Sequence, residues 1–171
     1  MSEVATAVSD EAFSALAENL GYVLEGRALL CVIAPENVRA EAVVEAALSR
    51  CDGADPVVVT TAAPGSRAAL LDGFCSALHL DRVRPRRLAD AQKAVEDELA
   101  RRSWPVVVVR DAHLLRTEAL QDLYALWNLF QERERRMPVV LVGPDRIRSV
   151  LRRPSLASLQ SCIFIWHRLT P

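Results

Sequence analysis

Runs of apolar residues alternate along this chain with amphipathic segments, a pattern that predicts strands separated by helices. Five short apolar runs are predicted as strands, at 28–34, 56–61, 105–110, 138–142 and 161–166. Helical spacing of apolar residues predicts helices over 10–20, 38–50, 66–78, 88–102 and 117–133, with two short ones near 145–153 and 155–160. Continuous apolar strands alternating with helices are typical of parallel sheets covered on both faces. We therefore predict an α/β fold with a doubly wound, mainly parallel five-stranded sheet flanked by helices.

Residues that favour helix ends place some of the boundaries. Ser9 is predicted to cap the first helix, with Asp10 and Glu11 in its first turn, and Gly21 is predicted to end it. Ser66 and Thr117 are predicted to cap two later helices. We expect residues 1–8 to form a flexible tail, and we interpret 1–171 as a single domain.

Composition narrows the classes of protein. The 171 residues are 51% hydrophobic, and 21 basic against 22 acidic side chains give a net charge of −1. A basic footprint over the whole surface is thus absent, although local arginine patches remain. No apolar run approaches the length of a membrane span, and the four cysteines have no metal-binding spacing. We expect a cytoplasmic protein with no membrane partner and no metal.

The loop after the first predicted strand lacks the features of a phosphate-binding loop. Ligands of open α/β sheets bind beyond the carboxyl ends of the strands, and such a loop would read G-x-x-x-x-G-K-[ST]. Residues 34–41 read Ala-Pro-Glu-Asn-Val-Arg-Ala-Glu instead, without either glycine, the lysine or the hydroxyl. Pro35 removes an N–H donor, Glu36 and Glu41 bring negative charge, and Arg39 takes a glycine position. With Asn37, these residues form a predicted vestigial nucleotide site, and no cofactor is expected.

The end of the third predicted strand extends this site. An acid at such a position would hold magnesium, but the sequence there reads Arg110-Asp111-Ala112-His113. A cation in the first place repels Mg²⁺, so Arg110 and Asp111 join the vestigial site. We interpret Asp111 as a partner of Arg110 or as a cap of the following loop. A metal site from Asp111 and His113 would have only two ligands and is disfavoured.

Three segments in order resemble one family. An apolar strand over 106–109 is followed by Asp-Ala-His-Leu-Leu at 111–115 and Thr-Glu-Ala-Leu at 117–120, and 141–156 is similar to L-V-G-x-P-x-x-R-x-x-L-x-R-P-x-L. The chain thus resembles AAA+ ATPases of the transposition-helper (TniB-like) and general-secretion-pathway-A type, related to origin-recognition ATPases. The resemblance implies a P-loop NTPase-like AAA+ core, here expected without the lid that would begin near Leu169. It places Arg152 or Arg153 near the family's arginine finger, which acts on a neighbouring subunit's nucleotide.

Three functional hypotheses follow. The leading one is a catalytically inactive AAA+-like domain that serves as a protein-interaction or regulatory subunit, in a homo-oligomer or with a related AAA+ subunit. The second is an unconventional ATPase in which Arg39 replaces the lysine and Asp111 holds magnesium. The third is a nucleic-acid-binding accessory protein. Its phosphate contacts would come from two arginine clusters, Arg82, Arg84, Arg86 and Arg87 in one, and Arg146 and Arg148, with Arg152 and Arg153, in the other.

Overall fold

A five-stranded, fully parallel sheet forms the centre of the protein. The computed structural model describes residues 8–81, 85–133 and 137–171; most of the expected tail lies outside them. The strands are β1 (Leu29–Ile33), β2 (Asp55–Val59), β3 (Pro105–Val109), β4 (Val139–Gly143) and β5 (Ile163–Arg168), and their order in the sheet is β2-β3-β4-β1-β5. Every pairing is parallel. The predicted α/β sheet is thus confirmed.

Helices connect the strands. They are α1 (Asp10–Gly26), α2 (Ala40–Leu48), α3 (Arg67–Ala77), α4 (Leu88–Arg101), α5 (Thr117–Glu132), α6 (Ile147–Leu151) and α7 (Ala157–Cys162), with short 3₁₀ turns at Ala112–Leu114 and Pro154–Leu156. Within the described residues, none of these helices is both long and apolar enough to cross a bilayer.

Both faces of the sheet are buried, because side chains alternate along each strand. Leu30 and Val32 of β1 face a cluster that includes Leu16 and Leu20 of α1 and Val44 of α2. Cys31 and Ile33 face the opposite cluster, to which α3, α4 and α5 contribute. The central strands therefore need apolar residues at every position, which explains the continuous runs in the sequence.

Two predicted helix boundaries were wrong. The first helix does not end at Gly21 but continues to Gly26, because Val23 and Leu24 are buried against the sheet. It ends where Arg27 adopts a left-handed conformation with φ of 56°. Thr117 is the first residue of α5 and not its cap, and Arg116 precedes it without a side-chain cap bond.

The two predicted serine caps are confirmed. The Oγ of Ser9 accepts a hydrogen bond from the backbone N–H of Ala12, and that of Ser66 accepts one from Ala69, each at 3.2 Å. Ser66 thereby fixes the start of α3, which lies directly on β2. A Cβ at Gly73 of α3 would be only 2.5 Å from the backbone oxygen of Thr60, so this approach requires glycine.

Candidate functional site

A cavity of about 330 Å³ lies over the carboxyl ends of β1, β3 and β4. Its walls are the loop after β1, the residues directly after β3 and the residues directly after β4. This is where an open parallel sheet places its ligands, because the helices that follow adjacent strands diverge there. The charged and titratable side chains that line it are Glu36, Arg39, Glu41, Arg110, Asp111, His113 and Arg146.

Local structure brings these side chains to the cavity. After β1, Val38 is buried and anchors the loop, whereas Pro35, Glu36 and Asn37 are exposed. Beside β2, the backbone N–H of Arg110 donates to the oxygen of Val59 at 3.0 Å, which extends the sheet by one residue. Asp111 then turns the chain with a left-handed φ of 48°.

Glu41 and Arg110 form an ion pair across the cavity. The Nη2 of Arg110 lies 3.3 Å from the Oε1 of Glu41, and the Nε of Arg39 lies 3.7 Å from the same oxygen. The side chain of Glu41 is only 18% exposed, so water has little access to its charge. The Nη1 of Arg110 also approaches the Oγ1 of Thr60 at 3.5 Å. A carboxylate of the protein thus lies between two guanidinium groups.

Asp111 does not take the structural role expected of it. It forms no ion pair with Arg110, whose partner is Glu41 from a segment far away in sequence. Nor does its carboxylate cap the 3₁₀ turn that follows. Its side chain is exposed, and its backbone is left-handed.

A second group joins Arg146, Glu36 and His113. The Nη2 of Arg146 donates to the Oε1 of Glu36 at 3.1 Å and lies 3.4 Å from the Nε2 of His113. Burial, followed by the charge of Arg146, lowers the pKa of His113, while Asp111 and Glu36 oppose the shift. The Nδ1 of His113 is buried without a hydrogen-bond partner in the described residues. Burial and the neighbouring guanidinium group therefore both disfavour protonation of this ring.

The charges that line the cavity balance. Three arginines face three carboxylates, and two of the carboxylates are already paired. Among residues 8–81, 85–133 and 137–171, no three His, Cys, Asp or Glu side chains are grouped so as to hold a metal ion. The site has the architecture of a ligand pocket without a surplus of positive charge.

A family comparison agrees with this architecture. A model described as an AAA domain matches residues 15–151. The chain belongs to the AAA domain family. No curated protein sequence matches this AAA domain significantly.

Solved structures share its fold at low sequence identity. Cdc6p from Pyrobaculum aerophilum is 16% identical with a TM-score of 0.69, over 99% of this chain and 48% of that one. The Aeropyrum pernix ORC2 protein in its ADPNP–ADP complexes is 19% identical, with a TM-score of 0.64 over 93% of this chain and 46% of that one. Drosophila ORC bound to poly(dA/dT) DNA and Cdc6 is 16% identical, with a TM-score of 0.66 over 94% and 29%. This AAA domain therefore spans about half the length of the archaeal proteins and less than a third of the Drosophila chain.

The remaining predicted arginines are dispersed around the AAA domain. The guanidinium group of Arg148 lies 5.4 Å from the ring centre of Trp166, so this side chain packs on β5. Arg152 is exposed, and the Nη1 of Arg153 donates to the Oγ1 of Thr117 at 3.0 Å. Arg86 and Arg87 are exposed just before α4. Arg82 and Arg84 lie outside the described residues.

Sequence reasoning missed the contacts that close the site. Arg146 and Glu36 are 110 residues apart, and no spacing rule links them. Outside the cavity lining, it also missed the bidentate pair of Arg168 and Asp145 at 2.6 and 3.1 Å, which joins the end of β5 to the loop after β4. The one available signal was the predicted parallel sheet, since loops that follow parallel strands meet at one edge.

Proposed function

We propose that this AAA domain is catalytically inactive and serves as a protein-interaction or regulatory subunit of a larger AAA+ assembly. One observation carries the proposal. Glu41, between Arg39 and Arg110, occupies with its own carboxylate the cavity in which a nucleotide-binding relative would need unpaired positive charge. We interpret the loop after β1, with Ala34 and Arg39 in place of the two glycines and Pro35 without an N–H donor, as the vestige of a phosphate-binding loop.

Physical chemistry supports this interpretation. A phosphate-binding loop wraps the anion in backbone N–H groups, and glycine allows the backbone to approach closely. Pro35 has no N–H, and a side chain at Arg39 takes up space beside the ligand. Arg110 follows β3 where a magnesium-holding acid would be useful, and a guanidinium group repels the metal. A triphosphate entering here would have to displace Glu41 and share the cavity with Asp111.

Titration calorimetry with magnesium and ATP tests the inactive state. We expect no binding at micromolar or low millimolar concentrations, and no phosphate release above that of buffer. Saturable micromolar binding would overturn the proposal. It would favour the unconventional ATPase, in which Arg39 replaces the lysine and Asp111 holds magnesium. An Arg39→Ala variant that abolished such binding would assign that role.

The proposed partner is a second copy of this chain or a related AAA+ subunit. The resemblance to transposition helpers and secretion-pathway ATPases supports such an assembly, with Arg152 or Arg153 offered to a neighbour's nucleotide. Both arginines are exposed, and Arg153 differs in donating to the Thr117 hydroxyl, so a change at Thr117 should affect Arg153 and not Arg152.

ATPase rates of a co-purified AAA+ partner test the contact. We expect Arg152→Ala or Arg153→Ala to remove the stimulation of the partner's rate, and Thr117→Val to reduce it only if Arg153 is the residue involved. Arg101→Ala, which removes an exposed arginine at the end of α4, is the matched control. Unchanged partner ATPase rates with both Arg152→Ala and Arg153→Ala would rule out this role.

Nucleic-acid binding is a second candidate function. Arg86 and Arg87 are exposed at the start of α4 and form no ion pair within the described residues. Among the structures with a similar fold, the Aeropyrum pernix ORC1 protein is in complex with DNA. In a mobility-shift assay, Arg86→Ala with Arg87→Ala should weaken binding and reduce its salt dependence. Arg50→Ala is the control, because Arg50 packs over the ring of Phe13 at 4.4 Å. A protein adaptor would leave DNA unshifted.

A further inference from the structure

Ion pairs between glutamates and arginines line the cavity over the sheet. Glu41 bridges Arg39 and Arg110, and Glu36 pairs with Arg146. In each pair the carboxylate comes from the loop or helix after β1. Of the arginines, Arg39 comes from that same segment, Arg110 from the end of β3 and Arg146 from the loop after β4. The arginines therefore converge on one space from three separate segments, and the carboxylates that meet them belong to a single segment.

We propose that Arg39, Arg110 and Arg146 form an oxyanion-binding site that the domain's own Glu41 and Glu36 occupy as internal ligands. The inference rests on the proposed function, since it identifies what fills the cavity of an inactive AAA domain. A guanidinium group binds carboxylate and phosphoryl oxygens with the same donor geometry. The site therefore takes small multivalent oxyanions once its internal carboxylates are neutralised.

The two pairs differ in strength, which predicts an order of release. The side chain of Glu41 is 18% exposed, and that of Arg110 is 38% exposed. Glu36 and Arg146 are 74% and 64% exposed, so water and salt screen their attraction more strongly. Glu36 leaves Arg146 readily, whereas Glu41 is the main competitor of an incoming anion.

Neutralising the internal carboxylates should expose the site. In a Glu36→Gln, Glu41→Gln variant, each glutamine keeps the volume of the side chain but removes its charge. Titration calorimetry at low ionic strength would use inorganic pyrophosphate as the phosphoryl probe and malonate as the carboxylate probe. We expect the variant to bind at least one of them about tenfold or more tightly than the unaltered protein. The better probe identifies the preferred oxyanion.

The control removes the same charge elsewhere. Glu45 is exposed on α2, so Glu36→Gln with Glu45→Gln has the same net charge but leaves Glu41 in place. An equally large gain in probe affinity in this control would overturn the inference. So would an unchanged affinity for both probes in the Glu36→Gln, Glu41→Gln variant. Adding Arg110→Ala to the Glu36, Glu41 variant should abolish the gain, and its persistence would contradict the site.

Folding and function remain separable. If Glu41→Gln unfolds the domain, the single variants Glu36→Gln and Glu45→Gln replace the double ones. Glu36→Gln should then bind the probe more tightly than Glu45→Gln, by less than the tenfold expected of the double variant. Equal affinities in the two single variants would overturn the inference. Micromolar binding of magnesium and ATP by the unaltered protein would overturn the proposed function whatever the variants do. Absence of ATP binding together with absence of any oxyanion gain would overturn only the internal-ligand site.

Discussion

Arg110 and Glu41 are 69 residues apart in sequence, yet their side chains meet at 3.3 Å and tie the first turn of α2 to the end of β3. The pair crosses the cavity and joins the segments that follow β1 and β3, which are not neighbours in the sheet because β4 lies between them. It therefore connects the walls of the cavity as well as neutralising it.

Arg110→Ala should destabilise the domain by about 1 kcal/mol, because the largely buried Glu41 retains only Arg39 at 3.7 Å. Urea unfolding followed by circular dichroism measures the change. Lys93→Ala removes the exposed Lys93–Asp97 pair of α4 and should cost less than about 0.5 kcal/mol. Equal losses in the two variants would mean that the cavity pair contributes no more than a surface pair.

Two glycine substitutions should act in opposite directions. Gly73→Ala would place a Cβ 2.5 Å from the backbone oxygen of Thr60, and separating α3 from β2 should cost about 2 kcal/mol. Gly21→Ala meets nothing within 4 Å inside α1 and should stabilise the protein by about 0.5–1 kcal/mol. Thermal melting should show a lower melting temperature for Gly73→Ala and a higher one for Gly21→Ala. A lower melting temperature for Gly21→Ala would contradict the continuation of α1 through this residue.

Stability should decrease below about pH 6.5, the ordinary pKa of histidine. Burial lowers the pKa of His167, whose Nδ1 accepts a hydrogen bond from the Nδ2 of Asn19 at 2.8 Å, and burial also lowers the pKa of His113. A lowered pKa means that the unfolded chain binds the proton first, so the stabilisation is complete above the unfolded value and is lost as the pH falls through the folded one.

Unfolding free energies between pH 7.5 and about pH 5 test this linkage. The His113→Gln, His167→Gln variant should show a flatter profile than the unaltered protein, and His167→Gln alone an intermediate one. This range stays above the titration of Asp145, whose pKa Arg168 holds below its ordinary value. Identical slopes in all three proteins would refute the assignment.

Thiol reactivity should separate Cys31 from Cys162. Burial in β1 raises the pKa of Cys31 to about 12, so almost no thiolate forms at neutral pH. Cys162 is half-buried at the end of α7. We expect iodoacetamide to label Cys162 in the native protein and Cys31 only after unfolding, as read by peptide mass spectrometry. Comparable native rates would contradict the burial of β1.

Apolar patterning was sufficient to predict the fold, because both faces of the sheet are covered and each central strand must be apolar throughout. It was insufficient where packing overrides local preference. Gly21 favours a helix end, but burial of Val23 and Leu24 carries α1 past it. Leu88 is in helical spacing with the buried Ala91, Val95 and Leu99 of α4, yet it is the first residue of the helix and is 50% exposed.

The candidate site was predictable in location but not in its contacts. Pro35, Glu36, Arg39 and Glu41 were placed after β1 by the strand pattern, and Arg110 after β3 by the same reasoning. Pairing depends on side-chain direction and strand order, neither of which a single sequence reveals. The expected Arg110–Asp111 pair was wrong for this reason, since Arg110 pairs with Glu41 from a different segment.

Strand order also constrains how the protein can be made. β1 is synthesised before both of its partners, which begin at Val139, about 110 residues later, and at Ile163. Until both have been synthesised, the backbone N–H and C=O groups on both edges of this apolar strand lack their partners. Such unpaired edges promote aggregation. Nascent chains should therefore depend on α1 and α2 to shield β1, or on a chaperone, until synthesis reaches β5.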